Sequence, residues 1–319
     1  MLDKIKNKLL LSIIFGIAIF VALSIYADIN DLLIAFSDFK WIYIPLILVL
    51  TFLNYIFRFL KWDYYLNSIG ININRRDSII VFFSGLMMAV TPAKLGEVFK
   101  SYLLKELNDT EMSRSVPIVF AERATDILGL VILASIGFSV FGRGKEVLLI
   151  TMSFILFAIL IIHSKNICLR LINSVGRIRF LSKFANNFNT LYESAYTLFN
   201  LKNLFIAISI SVISWFFECL ALFFVLKGFE ADATLLVSIF AFSFSTVAGA
   251  VSMIPGGLGV TEGSIVALLM MAGISKEFAV GAALFRLCML WFGMLVGGTS
   301  LIFFIKVYIE NTSNIIVEE

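Results

Sequence analysis

Histidine is almost missing from this 319-residue chain: His163 stands alone, and a single imidazole cannot supply a multi-histidine metal site or the paired chemistry of most hydrolases. Cysteine is nearly as scarce. Cys168, Cys219 and Cys288 are widely spaced and two fall inside apolar segments, which excludes a disulfide framework and a CxxC redox or metal motif. Charge is thin as well, at 15% of residues where a soluble domain carries about 25%. No GxxxxGK[ST] loop is present, so no ATP site is visible. What fills the chain instead is apolar: 60% of residues are hydrophobic, 14% aromatic, and the mean hydropathy is +0.99. That balance places the protein in a membrane. The net charge of +3 is modest and its basic residues concentrate in particular loops, which points to membrane orientation and anionic head groups and away from nucleic acid.

A spanning helix needs about 20 mostly apolar residues. Six segments meet that need, at 9–26, 41–60, 115–141, 147–163, 204–226 and 279–305. The first follows Lys4, Lys6 and Lys8 without a small-residue cleavage site, so it reads as a retained helix. With the N-terminus inside, 17 of the 25 basic residues lie on the cytoplasmic side, five outside and three within spans. The positive-inside rule then puts both termini in the cytoplasm of a multi-pass cell-membrane protein. The loop at 164–203 mixes apolar and basic residues in the manner of a cytoplasmic amphipathic helix lying in the lipid interface.

Two further apolar stretches are too short to cross. The first, at 78–90, runs into Thr91-Pro92-Ala93-Lys94-Leu95-Gly96-Glu97 before a second short helix through Leu104; the other, at 235–253, runs into Ile254-Pro255-Gly256-Gly257-Leu258-Gly259-Val260-Thr261-Glu262 before a short helix at 263–272. Spacing ties them together: Pro92 precedes Gly96 by four residues and Arg123 by 31, and Pro255 precedes Gly259 by four and Arg286 by 31. Under the topology above the two hairpins enter from opposite faces, each followed by a crossing helix with its arginine about 12 Å deep. The expected architecture is therefore one integral membrane domain over 1–319, all-α and polytopic, with six transmembrane helices and two re-entrant helical hairpins in an inverted repeat. Its halves are 41–141, with a hairpin at 78–106, and 204–306, with a hairpin at 235–272. Gly/Pro-broken short segments at corresponding places in two halves point to a substrate site near the midplane.

Charges inside the apolar segments sharpen that expectation. Glu122, Arg123 and Asp126 share one helix and must face a cavity or one another, since lipid does not solvate them. Arg123 reaches Asp126 at i+3, which leaves one net negative charge on that helix for a partner elsewhere. Asn54, Arg58, Glu218, Glu262 and Arg286 complete the set; Arg58, close to the inner surface, reads as a snorkelling anchor. Arg123 and Arg286 read either as buried ion pairs that hold helices together or as a clamp for an anionic group. Gly256, Gly257 and Gly259 permit close backbone approach and free amides at a helix start, where a phosphate head group binds.

At these residues the chain resembles the lysylphosphatidylglycerol synthase transmembrane family, also called flippase-like or the UPF0104 group. The resemblance rests on Thr-Pro-Ala-Lys-Leu-Gly-Glu at 91–97, Glu-Arg-x-x-Asp at 122–126 and Pro-Gly-Gly-Leu-Gly-x-x-Glu at 255–262, with Arg286 behind. It implies a polytopic membrane domain related to the lipid-translocating half of bacterial multiple peptide resistance factors and to archaeal proteins linked to polyprenyl-phosphate glycan assembly. Bifunctional members of that family carry a soluble aminoacyl-transferase domain, whereas only 13 residues follow Lys306, so aminoacyl-lipid synthesis is not expected of this chain.

The leading expectation is ATP-independent translocation of an anionic lipid, a phospholipid or a polyprenyl-phosphate carrier, by a protein that is not an enzyme and needs no cofactor or metal. Arg123, Arg286, Lys94 and the backbone at Gly256, Gly257 and Gly259 would hold the phosphate. Glu97, Glu122, Asp126, Glu218 and Glu262 would pair with the cations or take up protons. Two alternatives stand beside it: a non-catalytic subunit of a lipid or glycan assembly complex, with a second copy or an assembly protein as partner, and an enzyme acting on a lipid-linked phosphate with Glu or Asp as base.

Overall fold

The computed structural model describes residues 2–91, 96–141 and 185–310, with a few positions between 146 and 159. Every element among them is helical. Helix α1 (Leu2–Ala27) turns through 94° into α2 (Ile29–Asp38). Asp28 makes that corner with a φ of 73°, and its carboxylate accepts the Asn30 N–H at 3.0 Å. Helix α3 (Ile44–Ser68) opens on Pro45, whose fixed φ and missing N–H suit a first turn. Asn74 caps α4 (Arg75–Leu86), which is followed by α5 (Phe99–Asn108) and α6 (Met112–Phe141). After α7 (Ala185–Leu198) come α8 (Leu201–Gly228), capped by Asn200, and α9 (Leu235–Val251), capped by Thr234. Helix α10 (Val260–Met271) and α11 (Lys276–Phe304) follow a 3-10 turn at Pro255–Gly257, and α11 runs on into a π-helical segment at Ile305–Glu310.

By length and composition three segments can cross a membrane, Trp41–Ser68, Leu201–Gly228 and Lys276–Tyr308, with a fourth if the bent α1–α2 pair is one span. They carry the expected crossings at 41–60, 204–226 and 279–305. The 9–26 segment lies in α1. The 115–141 segment lies in α6, whose 30 residues include Glu122, Arg123 and Asp126. The 147–163 segment falls largely outside the described residues; of the 164–203 loop, 164–184 also does, and α7 occupies most of the remainder. Helix α4 has 12 residues and α9 has 17, lengths of about 18 and 26 Å against a hydrocarbon core of about 30 Å. Large apolar side chains point outward along the long helices, among them Ile14 and Ile25 on α1, Phe205 on α8 and Leu295 on α11, a surface that lipid covers and water does not.

The centre of the fold is the pair α3 and α8, which run antiparallel: Tyr43 stacks on Phe224 at 5.9 Å near one end, and the Tyr64 hydroxyl donates to Asn203 at 2.6 Å near the other. Helix α6 packs on α8 and α9, while α11 packs on α4 and α10. Glycine makes two of these approaches close. A Cβ at Gly129 on α6 would sit 3.1 Å from the Val212 nitrogen, and one at Gly297 on α11 would run into the Met87 backbone.

Candidate functional site

The break between α4 and α5 is lined by a buried cluster of ionised side chains. Lys61, on α3 and fully buried, donates to Asp126 at 2.5 Å, to the Ser211 hydroxyl at 2.8 Å and to the Glu122 carbonyl at 3.3 Å. Lys100, on α5, sits 2.5 Å from Glu122 and 4.4 Å above the Trp62 ring. Arg123 reaches Asp126 at 3.0 Å and Glu97 at 3.2 Å, and Arg58 stands 3.7 Å from Glu97 and 5.7 Å from the centre of the Trp215 ring. Four cations thus face three carboxylates in a largely buried cluster, with Glu218 lining a cavity beside Arg58. The Nε atoms of Arg58 and Arg123 are buried with no hydrogen-bond partner among the described residues.

The break between α9 and α10 is built differently. Arg286 is held by Glu262, and its second terminal nitrogen donates to the Gly256 carbonyl at 3.3 Å. The other Glu262 oxygen accepts the Gly259 N–H at 2.6 Å, closing the first turn of α10. Gly256, Gly257 and Gly259 have φ values of 64°, 67° and 84°, in the left-handed region where a side chain is strained. At Gly257 space forbids one too, since a Cβ would lie 2.6 Å from the Thr261 hydroxyl. The Gly257 and Gly259 amides are taken, by the Ile254 carbonyl at 2.9 Å and by Glu262, so these glycines shape the turn and do not offer free donors.

The second break opens onto a cavity of about 270 Å³, which Arg123 and Asp126 of the first cluster also line. Arg123 and Asp126 enter it from α6, Arg286 from α11 and Trp215 from α8, with Gly256 and Gly257 at the second break and apolar walls from Phe120 and Ile254. Fewer of the expected site residues line it than the spacing alone suggested. Glu97 and Glu262 stand behind the arginines as their charge partners, Glu122 is paired with Lys100, and Gly259 lies outside the wall. Glu218 lines a second, smaller cavity with Arg58 and Arg286. Lys94 falls outside the described residues.

Three residues of the site went unread in the sequence. Lys61 and Lys100 were counted among the cytoplasmic loop charges, and both are buried in ion pairs. Lys100 takes the α6 carboxylate that seemed unmatched, and Lys61 shares Asp126 with Arg123. Arg58 does not snorkel: it is 5% exposed and turned inward over Trp215. The signal was present in the register, because Asn54, Arg58, Lys61 and Tyr65 recur at intervals of three or four and so share the buried face of α3.

The long apolar helices and the half-buried Arg123 and Arg286 beside an apolar-walled cavity define a helical membrane protein with a charged interior. The comparisons agree with that class. Residues 13–297 match the family of the lysylphosphatidylglycerol synthase TM region, and the chain belongs to that family. It is similar to a UPF0104 membrane protein of Methanocaldococcus jannaschii, 25% identical over 68% of this chain and 93% of that one. It is likewise similar to UPF0104 membrane proteins of Methanothermobacter thermautotrophicus, 22% identical over 94% of this chain and 96% of that one, and of Pyrococcus horikoshii, 23% identical over 91% and 96%. The protein is a multi-pass membrane protein of this family.

Proposed function

We propose that the protein moves an anionic lipid, a phospholipid or a polyprenyl-phosphate carrier, between the leaflets of the cell membrane without ATP. One observation carries the reading: Arg123 and Arg286, far apart in sequence and each 31 residues beyond a proline, line the same cavity. The arginines hold the phosphate. The apolar wall lies against the start of the acyl or prenyl chain. In the unloaded protein each guanidinium rests on carboxylates, Arg123 on Glu97 and Asp126 and Arg286 on Glu262, so a phosphate competes with an internal anion and both charged states stay compensated. Protons taken up by those carboxylates are the coupling route open to a protein without an ATP site. The six-crossing topology, both termini in the cytoplasm, and the two re-entrant hairpins belong to the same proposal; the shortness of α4 and α9 and the broken turns after them support it.

Leaflet exchange of fluorescent anionic, zwitterionic and polyprenyl-phosphate lipids in liposomes that hold the purified protein tests this. Exchange of anionic lipid is expected, with a loss of at least tenfold in Arg286→Gln, which keeps a donor for Glu262 and removes the charge. No exchange by well-folded wild-type protein overturns the proposal in favour of a partner-dependent subunit or an enzyme. Exchange that survives in a folded Arg286→Gln protein overturns the clamp.

A further inference from the structure

We propose that the protein is a proton co-transporter: an anionic head group that takes Arg286 leaves Glu262 to bind one proton, and lipid and proton cross together. The inference rests on the translocation reading above and names its coupling ion and the side chain that carries it.

What decides the matter is the company each carboxylate keeps once a phosphate has claimed the arginines. At the first break none is left alone. Asp126 gives up Arg123 but keeps Lys61 at 2.5 Å and the Ser211 hydroxyl at 3.2 Å. Glu97 gives up the same arginine and keeps Arg58 and Lys100, each at 3.7 Å. Glu122 does not depend on the arginines, since Lys100 lies 2.5 Å from it. Glu262 is the exception. It is fully buried, Arg286 is its one cationic partner among the described residues, and a head group that takes that guanidinium strips it.

The elements packed round Glu262 offer no replacement. Helix α9 carries no ionisable side chain, and on α10 Glu262 is the only one. On α11 the charges nearest to Arg286 are Lys276 and Glu277, about 13 Å or more toward the start of the helix. Helix α1 approaches through Ile19, beside Gly259; its lysines come at least eleven residues earlier, and the Tyr26 hydroxyl donates to the Met270 sulfur at 3.9 Å. Across the larger cavity stand Arg123, which the phosphate itself engages, and Asp126. Glu218 shares the smaller cavity with Arg286, and a further carboxylate only adds repulsion.

The Gly259 N–H, 2.6 Å away, and the N-terminus of α10 do favour a charge on Glu262. A neutral amide and about half a unit of dipole charge do not replace a whole cation in a buried site, and the arriving phosphate puts a like charge beside it. A buried carboxylate stranded in this way is neutralised by a proton. The proton goes to Oε1, the oxygen that faced Arg286, while Oε2 keeps the Gly259 N–H. Glu262 thereby turns from a rival acceptor into a donor, with an O–H to offer a phosphate oxygen. When the head group leaves, Arg286 returns to Glu262 and the guanidinium expels the proton on the side the lipid has reached.

Calorimetry of dihexanoyl phosphatidylglycerol binding to the full chain in detergent, repeated in buffers of different ionisation enthalpy, counts the protons. The phosphodiester stays ionised across the neutral range, so any proton taken up belongs to the protein. One proton per lipid is expected. Affinity should rise as pH falls, by up to about tenfold per unit, because the loaded protein holds one proton more than the empty one. In Glu262→Gln binding should remain and both effects vanish. Binding without proton uptake in the wild type overturns the coupling and leaves translocation standing. A pH dependence that survives in Glu262→Gln overturns the assignment to this residue, and so does loss of binding in the folded variant, since the amide stands for the protonated acid. No binding by folded wild-type protein overturns the translocation reading as well. In liposomes, a pH gradient should enrich the anionic lipid at least threefold in the leaflet facing the alkaline side, and an even distribution overturns co-transport. Should Glu262→Gln not fold, infrared difference spectra serve: lipid binding should raise a protonated-carboxyl band that shifts in Glu262→Asp, and an absent or unmoved band overturns the proposal.

Discussion

The two helix breaks do corresponding work with opposite means. Around the first, Arg58, Lys61, Lys100 and Arg123 interlock with Glu97, Glu122 and Asp126, so each acid serves at least one cation and Glu97 faces three. Around the second, a single arginine meets a single glutamate, and shape comes from three glycines in left-handed geometry. A many-membered buried network is hard to rearrange because moving one charge strands several others. A lone pair on a glycine turn can be opened by one competing anion. The difference suggests a division of labour, with the first break as the fixed framework and the second as the part a ligand unlatches.

The sharpest way to break that comparison is to make the same chemical change on both sides. Asp126→Asn removes the carboxylate from Lys61 and Arg123 at once and raises the surplus positive charge of the cluster. Breaking a buried pair of this kind costs about 3–5 kcal/mol, so the variant should show a large fall in thermal unfolding temperature in detergent. Glu262→Gln is the milder counterpart. The amide oxygen still accepts the Gly259 N–H or faces Arg286, and what is lost is the charge of a charge-assisted bond, about 1.5–3 kcal/mol. Anion binding should tighten in Glu262→Gln, because the internal competitor for Arg286 is weakened, and binding of short-chain phosphatidylglycerol measured calorimetrically checks the sign. Equal destabilisation in the two variants would remove the proposed division.

The second break was far easier to read from sequence than the first, and the reason is physical. Pro255 and three closely spaced glycines end a helix by backbone geometry alone, which depends on neighbours in sequence and is written locally. Arg286 and Glu262 sit 24 residues apart on consecutive helices, so their pairing follows almost from the hairpin. The first cluster is assembled from α3, the break, α5 and α6. Hydropathy treats Lys61, at the end of a long apolar run, as a head-group anchor, and its partners Asp126 and Ser211 lie 65 and 150 residues away. Nothing in a single sequence states that α3 lies against both α6 and α8; only the recurrence of polar residues on one face of α3 hints that this face is buried against something charged.

The smallest expected effects lie at a pair of glycines, one beside each break. Gly85 ends α4 against the stem of Lys100, and a Cβ there would come 2.5 Å from the Lys100 Cγ. Gly263, on α10, stands 163 positions beyond Lys100, where a Cβ meets nothing within 4 Å. Gly85→Ala must push the lysine off Glu122 and the Trp62 ring, an overpacking cost of about 1–3 kcal/mol. Gly263→Ala adds a helix-favouring residue in open space and should stabilise by up to about 1 kcal/mol. Unfolding temperatures of the two variants side by side should therefore move in opposite directions. A fall in both would mean that the space beside Gly263 closes in the membrane, and that the second break is packed as tightly as the first.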